Sequence, residues 1–323
     1  MEKTYYSPVS SLKFWKALVI HLRPYLLFVS GAAGLAGMAI VPVETIRLPV
    51  FLMAFIPFFL GYGFGQALTD CFQVDTDSIS APYRPLSKKE ISPRSLGTVS
   101  LAGLILISCS VIYLNHYNLI FGVMSIIGLA TYTYFKKNVW FAGPFYNGWI
   151  VMLLPVMGFL AVSGDNPGKL IDRTMILQAL LTLFSYANFV LIGYLKDISA
   201  DRATNYKTFP VVFGWNKTVI AGDFNVFCSI FFCFLLTGYD RVIPFLVFLA
   251  ASSIAVAGQL FGHLTERKEE SNAAFPITAT VRSFILWHLA VVIHHHAGWL
   301  IFCAVFYICF EVVLWFRPEK GQI

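Results

Sequence analysis

An all-α fold is what this sequence predicts: a polytopic bundle of membrane-spanning helices forming one unit over residues 1–323. Two features of composition and one of patterning carry that expectation. Of the 323 residues, 58% are hydrophobic and only 12% are charged, against about 25% charged in soluble domains. The mean hydropathy is +0.71. Apolar runs long enough to cross a bilayer, roughly 17–25 residues, recur along nearly the whole chain.

In order, those runs are Phe14–Ile40, Leu48–Leu68, Leu96–Leu114, Leu119–Phe135, Val139–Val162, Thr174–Leu195, Thr218–Gly238, Val242–Gly262 and Thr278–Phe316. The last has 39 residues, too long for one span, with His294, His295, His296, Ala297 and Gly298 near its middle. It reads as two helices joined by a turn at the histidines, with one long bent helix as the alternative. The total is nine or ten helices. Consecutive helical residues fan out by about 100° each, so the three histidines predict an interfacial turn rather than a metal chelate. Pro24, Gly31, Gly34 and Gly37, then Pro57, Gly61, Gly63 and Gly65, crowd the first two runs. Such small residues let helices approach closely in lipid, or thin a helix wall beside a cavity. Met1–Leu12 is polar and mixed, which predicts no cleaved leader. Cys71, Cys109, Cys228, Cys233, Cys303 and Cys309 lack CxxC spacing and suggest neither a zinc site nor a disulfide frame.

The net charge of +6 is spread over separate loops, which argues against nucleic acid as a partner. With the N-terminus placed in the cytoplasm, sixteen basic residues fall inside: Lys3, Lys13, Lys16, Arg23, Arg84, Lys88, Lys89, Arg94, Lys136, Lys137, Lys196, Arg202, Lys207, Lys217, Arg267 and Lys268. Only four, Arg47, Lys169, Arg173 and Arg241, occupy the alternate loops. Positive residues concentrate in cytoplasmic loops, so this asymmetry predicts the orientation, and Arg317 with Lys320 favours ten helices.

Two aspartate-rich segments then share the cytoplasmic side: Thr69–Pro85, TDCFQVDTDSISAPYRP, and Lys196–Gly214, KDISADRATNYKTFPVVFG. Carboxylates at a membrane boundary are costly to desolvate and need cationic partners. Helical residues three or four apart share a face. That spacing aligns Asp197 with Asp201, and Asp70 with Gln73 and Asp77, while Asp75 points elsewhere if the helix continues. Mg²⁺ takes oxygen ligands and is commonly held by one or two carboxylates plus substrate phosphates. Two facing clusters would therefore clamp a diphosphate through Mg²⁺ and make it a better leaving group. The competing reading is a set of solvated loop acids. Arg84, Lys88, Lys89, Lys196, Arg202 and Lys207 stand nearby as phosphate contacts, or simply as inside positive charge.

On these residues the chain resembles the UbiA superfamily of intramembrane prenyltransferases. The family's first motif, NDxxDxxxD with RPxxxG and an Ile-Ser pair, is matched by Thr69, Asp70, Gln73, Asp77, Pro82, Arg84, Pro85, Ile91 and Ser92. The second, RDIxxDxxxGKxTLPVxxG, is matched by Lys196, Asp197, Ile198, Asp201, Arg202, Asn205, Lys207, Thr208, Pro210, Val211 and Gly214. Tyr132 and Lys136 match a paired Tyr and Lys, and Arg23–Pro24 an Arg-Pro in the first helix. The departures are Thr69 for Asn, Gln73 for Asp, Asn205 for Gly, and Lys88–Lys89 for Ser-Gly.

The resemblance implies nine or ten transmembrane helices around a central cavity. It implies Asp70, Asp77, Asp197 and Asp201 as the catalytic carboxylates, with Asp75 joining them as a candidate Mg²⁺ ligand. Gln73, Arg84, Tyr132, Lys136, Lys196, Arg202 and Lys207 are the candidate diphosphate contacts. The expected reaction ionises an isoprenyl diphosphate and passes the allylic cation to a lipophilic or aromatic acceptor, with membrane lipids around the protein. Gln73 and the aromatic content, 16% of the chain, keep a membrane terpene cyclase as the alternative. The aromatic residues either pack the bundle or line the cavity with ring faces that stabilise a cation. A non-enzymatic lipid transporter is the third reading; it calls for charged residues deep in several spans.

Overall fold

The computed structural model describes residues 6–42, 46–164 and 171–317. Lys3, Lys169 and Lys320, counted in the charge distribution, lie outside the described residues. The chain forms helices α1 (Leu12–His21), α2 (Leu27–Ala39), α3 (Leu48–Asp70), α4 (Val74–Ser80) and α5 (Pro93–Leu114). Then come α6 (Asn118–Asn138), α7 (Ala142–Ser163), α8 (Arg173–Gly193), α9 (Ile198–Ala203) and α10 (Phe209–Thr237). The last three are α11 (Val242–Leu264), α12 (Ala274–His295) and α13 (Leu300–Trp315). No strand occurs among the described residues. Among the described residues nine helices are long and apolar enough to span, and α1 with α2, bent by 49° at a short break, adds a tenth when the pair is taken as one span.

Helix ends follow local chemistry. Ser11 caps α1 by accepting from the Phe14 N–H, and Ser92 caps α5 ahead of Pro93. Asp172 caps α8 through the Thr174 N–H at 3.2 Å. Each satisfies a backbone donor left without a helical partner. The long final run does break at the histidines. Helix α12 ends at His295, and the His296 Nε2 lies 2.9 Å from the Val41 carbonyl oxygen, pinning the turn to the end of the first span.

Helix α12 is the axis of the bundle. Its span is 89% buried inside the protein, against 22% for α5, α6 and α13, which face lipid. Every residue of α2 is buried. The α2 glycines explain this close packing. A Cβ on Gly37 would strike the Pro155 carbonyl, and one on Gly158 of α7 would strike that of Gly34, so α2 and α7 touch backbone to backbone. Gly61 and Gly65 of α3 instead line a cavity. Both readings of the glycines therefore hold, on different helices. The phenylalanines divide likewise. Phe28, Phe55, Phe59 and Phe306 form an edge-on seam between α2, α3 and α13, whereas the cavity draws mainly on tyrosines.

Several polar residues inside the bundle are paired. The Thr182 hydroxyl lies 2.9 Å from His288 Nε2, whose Nδ1 is 2.7 Å from the Phe284 carbonyl. Arg282 of α12 forks onto Glu311 of α13, Nε–Oε1 2.7 Å and Nη2–Oε2 2.8 Å, and Tyr307 donates to the same carboxylate. Four spanning helices, α5, α6, α7 and α8, separate the two aspartate-rich segments, and this even number puts both at one end of the bundle.

Candidate active site

The first aspartate segment is not one continuous helix. Helix α3 stops at Asp70, residues 71–73 turn, and α4 restarts at Val74 with Gln73 as its N-cap residue. Asp70 and Asp77 still come together, because one group gathers them. Arg84 Nη1 lies 2.6 Å from Asp77 Oδ2 and 3.7 Å from Asp70 Oδ2. Arg23 also pairs with Asp70 Oδ2, His21 Nε2 lies 3.2 Å from it, and Gln66 donates to Oδ1 at 2.7 Å. Asp70 is 2% exposed, and this many donors offset the cost of burying its charge. Burial alone would lower the Arg84 pKa, but the Asp77 and Asp70 carboxylates outweigh it and hold the guanidinium charged.

The second segment separates its two carboxylates. Asp197 stands at the head of α9 and lines the cavity mouth with Lys196. Asp201, four residues on, is fully buried. It accepts from Thr208 at 3.0 Å and Thr76 at 3.5 Å and lies 3.8 Å from Lys136 Nζ. Burial pushes the Asp201 carboxyl up from its ordinary range, against the pull of Lys136. Thr76 also bonds Thr204 at 2.8 Å, and the Tyr206 hydroxyl donates to Asp75 at 3.4 Å. The two segments are thus stitched together along α4 and α9. Burial, followed by Asp75, pushes the Tyr206 phenol up to about 12.

The remaining candidates fall into two groups. Arg84, Tyr132, Lys136 and Lys196 line the mouth with Asp70, Gln73, Asp77 and Asp197. Gln73 Oε1 accepts from Lys136 at 3.1 Å and its amide donates to Thr133 at 3.2 Å, so its carbonyl is turned to a cation. Asp75, Arg202 and Lys207 are exposed and do not line the mouth. The break at residues 71–73 rotates Asp75 outward, where it meets Lys137 at 3.5 Å and Tyr206. Spacing along the sequence missed His21, Gln66, Tyr62, Asn147, Tyr186, Phe189 and Tyr194. All but His21 line the mouth. Gln66, one turn before Asp70, was the one with a readable signal.

Below the mouth the cavity turns apolar. A chamber with about 860 Å³ of empty space lies between α3, α5, α6 and α7, among Pro57, Phe58, Leu104, Val111, Leu129 and Met157. It shares Tyr62, Gln66, Asn147 and Tyr186 with the mouth, so the two adjoin. Tyr132 and Tyr194 join by their hydroxyls at 2.8 Å, and Lys136 Nζ sits 5.2 Å above the Tyr194 ring. Among the described residues no three acidic, histidine or cysteine side chains converge tightly enough to hold a metal by themselves. The mouth instead mixes Asp70, Asp77 and Asp197 with Arg23, Arg84, Lys136 and Lys196. That set suits an oligophosphate accompanied by Mg²⁺, which needs only one or two carboxylates when phosphates supply further ligands.

Comparison with known proteins agrees with this architecture. The UbiA prenyltransferase family matches residues 30–289. The digeranylgeranylglyceryl phosphate synthase of Thermococcus kodakarensis is 23% identical over 224 residues, 68% of this chain and 77% of that protein. The synthase of the same name from Methanococcus aeolicus is 31% identical over 180 residues, 55% of this chain and 61% of that one. Among solved structures, a UbiA homologue from Aeropyrum pernix superposes with a TM-score of 0.67 at 20% identity, covering 86% of this chain and 97% of that one. A UbiA homologue from Archaeoglobus fulgidus, bound to DMAPP and Mg²⁺, gives 0.61 at 16% identity, covering 85% and 98%. The match to the family runs from the first span into α12, and this chain belongs to the UbiA prenyltransferase family of membrane enzymes.

Proposed function

We propose that this protein ionises an isoprenyl diphosphate with the help of Mg²⁺ and transfers the prenyl group to a lipophilic acceptor. The observation that carries this is a charged mouth adjoining an apolar chamber, with Tyr62, Gln66, Asn147 and Tyr186 lining both. A diphosphate fits the mouth, and an isoprenoid chain fits the chamber. The relatives named as digeranylgeranylglyceryl phosphate synthases, and the homologue bound to DMAPP and Mg²⁺, support the same chemistry. The excess of basic residues at this end of the bundle supports a mouth that opens to the cytoplasm.

Each residue has a distinct part. Arg23, Arg84, Lys136 and Lys196 bind the diphosphate oxygens, with arginine offering paired donors. Asp70, Asp77 and Asp197 would hold Mg²⁺, which when bound neutralises charge on the leaving group. Asp201 stays out of the mouth and steadies Lys136. Asp75, Arg202 and Lys207 serve the rim. The C1–O bond breaks with its electron pair leaving on diphosphate. The faces of Tyr62, Tyr132, Tyr186 and Tyr194 then surround the allylic cation, where cation–π attraction favours it. The acceptor's nucleophile bonds to C1 and sheds a proton.

The test incubates the purified protein with Mg²⁺ and geranyl, farnesyl or geranylgeranyl diphosphate, with and without lipid acceptors. Released diphosphate and extracted products are measured. Acceptor-dependent prenylation is expected, and Asp77→Ala and Asp197→Ala should each cut turnover by about 100-fold or more. A cyclic terpene formed without acceptor would replace transfer with cyclisation. The absence of Mg²⁺-dependent diphosphate release would overturn the proposal.

A further inference from the structure

A second pocket backs onto the reaction cavity. It holds about 1270 Å³ of empty space between the end of α1, the 3₁₀ turn at Pro24–Leu26, the loop after α4 and the end of α13. Its charged wall is Arg23, Arg84, Lys88 and Arg317, opposed by one carboxylate, Glu90. Its apolar wall is Val19, Ile20, Val312 and Phe316, all at least 49% exposed on the outside of the bundle. The pocket lies where the apolar span of α13 gives way to Arg317. It therefore sits at the headgroup level of a bilayer, with an apolar face below and a cationic face above.

Arg23 and Arg84 belong to both pockets. The wall between them is the cluster of Arg23, Asp70 and Arg84. Within it, the Arg23 Nε is buried and finds no hydrogen-bond partner among the described residues. A buried guanidinium N–H left without an acceptor is unusual, and an anionic oxygen in either pocket would satisfy it.

We propose that this second pocket is a headgroup site for a phosphate-bearing amphiphile. The phosphate sits against Arg23, Arg84, Lys88 and Arg317, and the chains lie along Val19, Ile20, Val312 and Phe316 in contact with the bilayer. Three features select this class. Asp70 and Asp77 already pair with Arg23 and Arg84, and with Glu90 they still leave the four cations in excess by one, which favours an anion. Guanidinium groups match phosphate oxygens in pairs. The apolar wall gives a free inorganic ion nothing to cover, whereas it gives acyl or prenyl chains a surface continuous with lipid. An amphiphile held here would rest on the same arginine wall that closes the reaction cavity.

The full-length protein in neutral maltoside micelles is titrated by calorimetry with dioctanoyl phosphatidic acid. Parallel arms use dioctanoyl phosphatidylcholine, dioctanoylglycerol and inorganic phosphate. Lys88→Ala combined with Arg317→Ala changes only groups outside the reaction cavity, and Lys88→Glu alone changes an exposed side chain as a milder check. Phosphatidic acid should bind most tightly, and the double variant should weaken it by about tenfold or more. Diphosphate release from a prenyl diphosphate should be unaffected in these variants. Equal binding of dioctanoylglycerol would overturn the phosphate part, equal binding of zwitterionic phosphatidylcholine would overturn selection by net negative charge, and equal binding of inorganic phosphate would overturn the amphiphile part. Undiminished phosphatidic acid binding in both variants would place the lipid elsewhere, including in the reaction cavity, and would overturn the site.

Discussion

Arg23, Lys89 and Asn205 have left-handed backbone, with φ of 52°, 61° and 61°. Two of them stand where the family motifs carry glycine, which explains why those departures are tolerated at Asn205 and costly at Lys89. Asparagine visits this region readily, whereas lysine pays a steric cost of roughly 1 kcal/mol. Lys89→Gly should therefore raise the melting temperature in detergent, and Asn205→Gly should leave it nearly unchanged. Asn205→Val should destabilise by roughly 1–2 kcal/mol, read from thermal unfolding. Arg23 is held in this conformation just before Pro24, and the bend delivers its guanidinium to Asp70. At Arg84, lysine would keep the charge but lose the planar guanidinium whose Nη1 lies between Asp70 and Asp77. Arg84→Lys should weaken inorganic diphosphate binding by about tenfold or more, measured by calorimetry in the presence of Mg²⁺.

At the scale of elements, helix contacts set the tolerances. Gly37 and Gly158 sit where α2 and α7 meet through backbone, so a larger residue at either must push the helices apart. Gly37→Leu should cost about 3 kcal/mol and shows as loss of the folded fraction on size exclusion. The turn after α12 carries a pH signature. Burial lowers the pKa of His296, opposed in part by its hydrogen bond to Val41. The neutral ring is thus favoured in the folded state, and below the ordinary histidine value of about 6.5 the unfolded chain takes up more protons. Thermal stability should fall as pH drops below about 6.5, and His296→Gln should flatten that part of the curve. The turn itself was legible, because a 39-residue apolar run exceeds one span. The break at residues 71–73 was not. Nothing in that run of acids and turn formers favours stopping a helix there over continuing it, and the stop is made by tertiary bonds such as Gln73 to Lys136 and Thr133.

Across the whole molecule, two segments more than a hundred residues apart in sequence become one wall. Thr76 and Asp201 are separated by 125 positions and lie 3.5 Å apart. Protein cations already hold the first-segment carboxylates: Arg23 and Arg84 on Asp70, and Arg84 on Asp77. A diphosphate would draw those arginines away and free carboxylate oxygen for Mg²⁺. Mg²⁺ alone or inorganic diphosphate alone should then shift thermal stability little. The two together should stabilise by about 2.7 kcal/mol once the joint ligand stands near 100 times its dissociation constant, and EDTA should remove the gain. Equal shifts with Mg²⁺ alone would show carboxylates that are ready without substrate.

The sequence by itself determined the membrane class, a count of nine or ten spans, the common side of the two aspartate segments and the chemical kind of site. Each of these depends on local quantities: the length of an apolar run, the parity of crossings, and residue types within a few turns. Tertiary structure alone decided which acids face the cavity. Asp70, Asp77 and Asp197 do, whereas Asp201 is sealed under Thr76 and Thr208 and Asp75 is turned out to Lys137. Helical spacing assigns a face within one helix, but the helix breaks, and what lies opposite that face, arise from contacts made across the bundle. The same holds for His21 and Arg23, which reach Asp70 only because the first span bends by 49° over the end of α3.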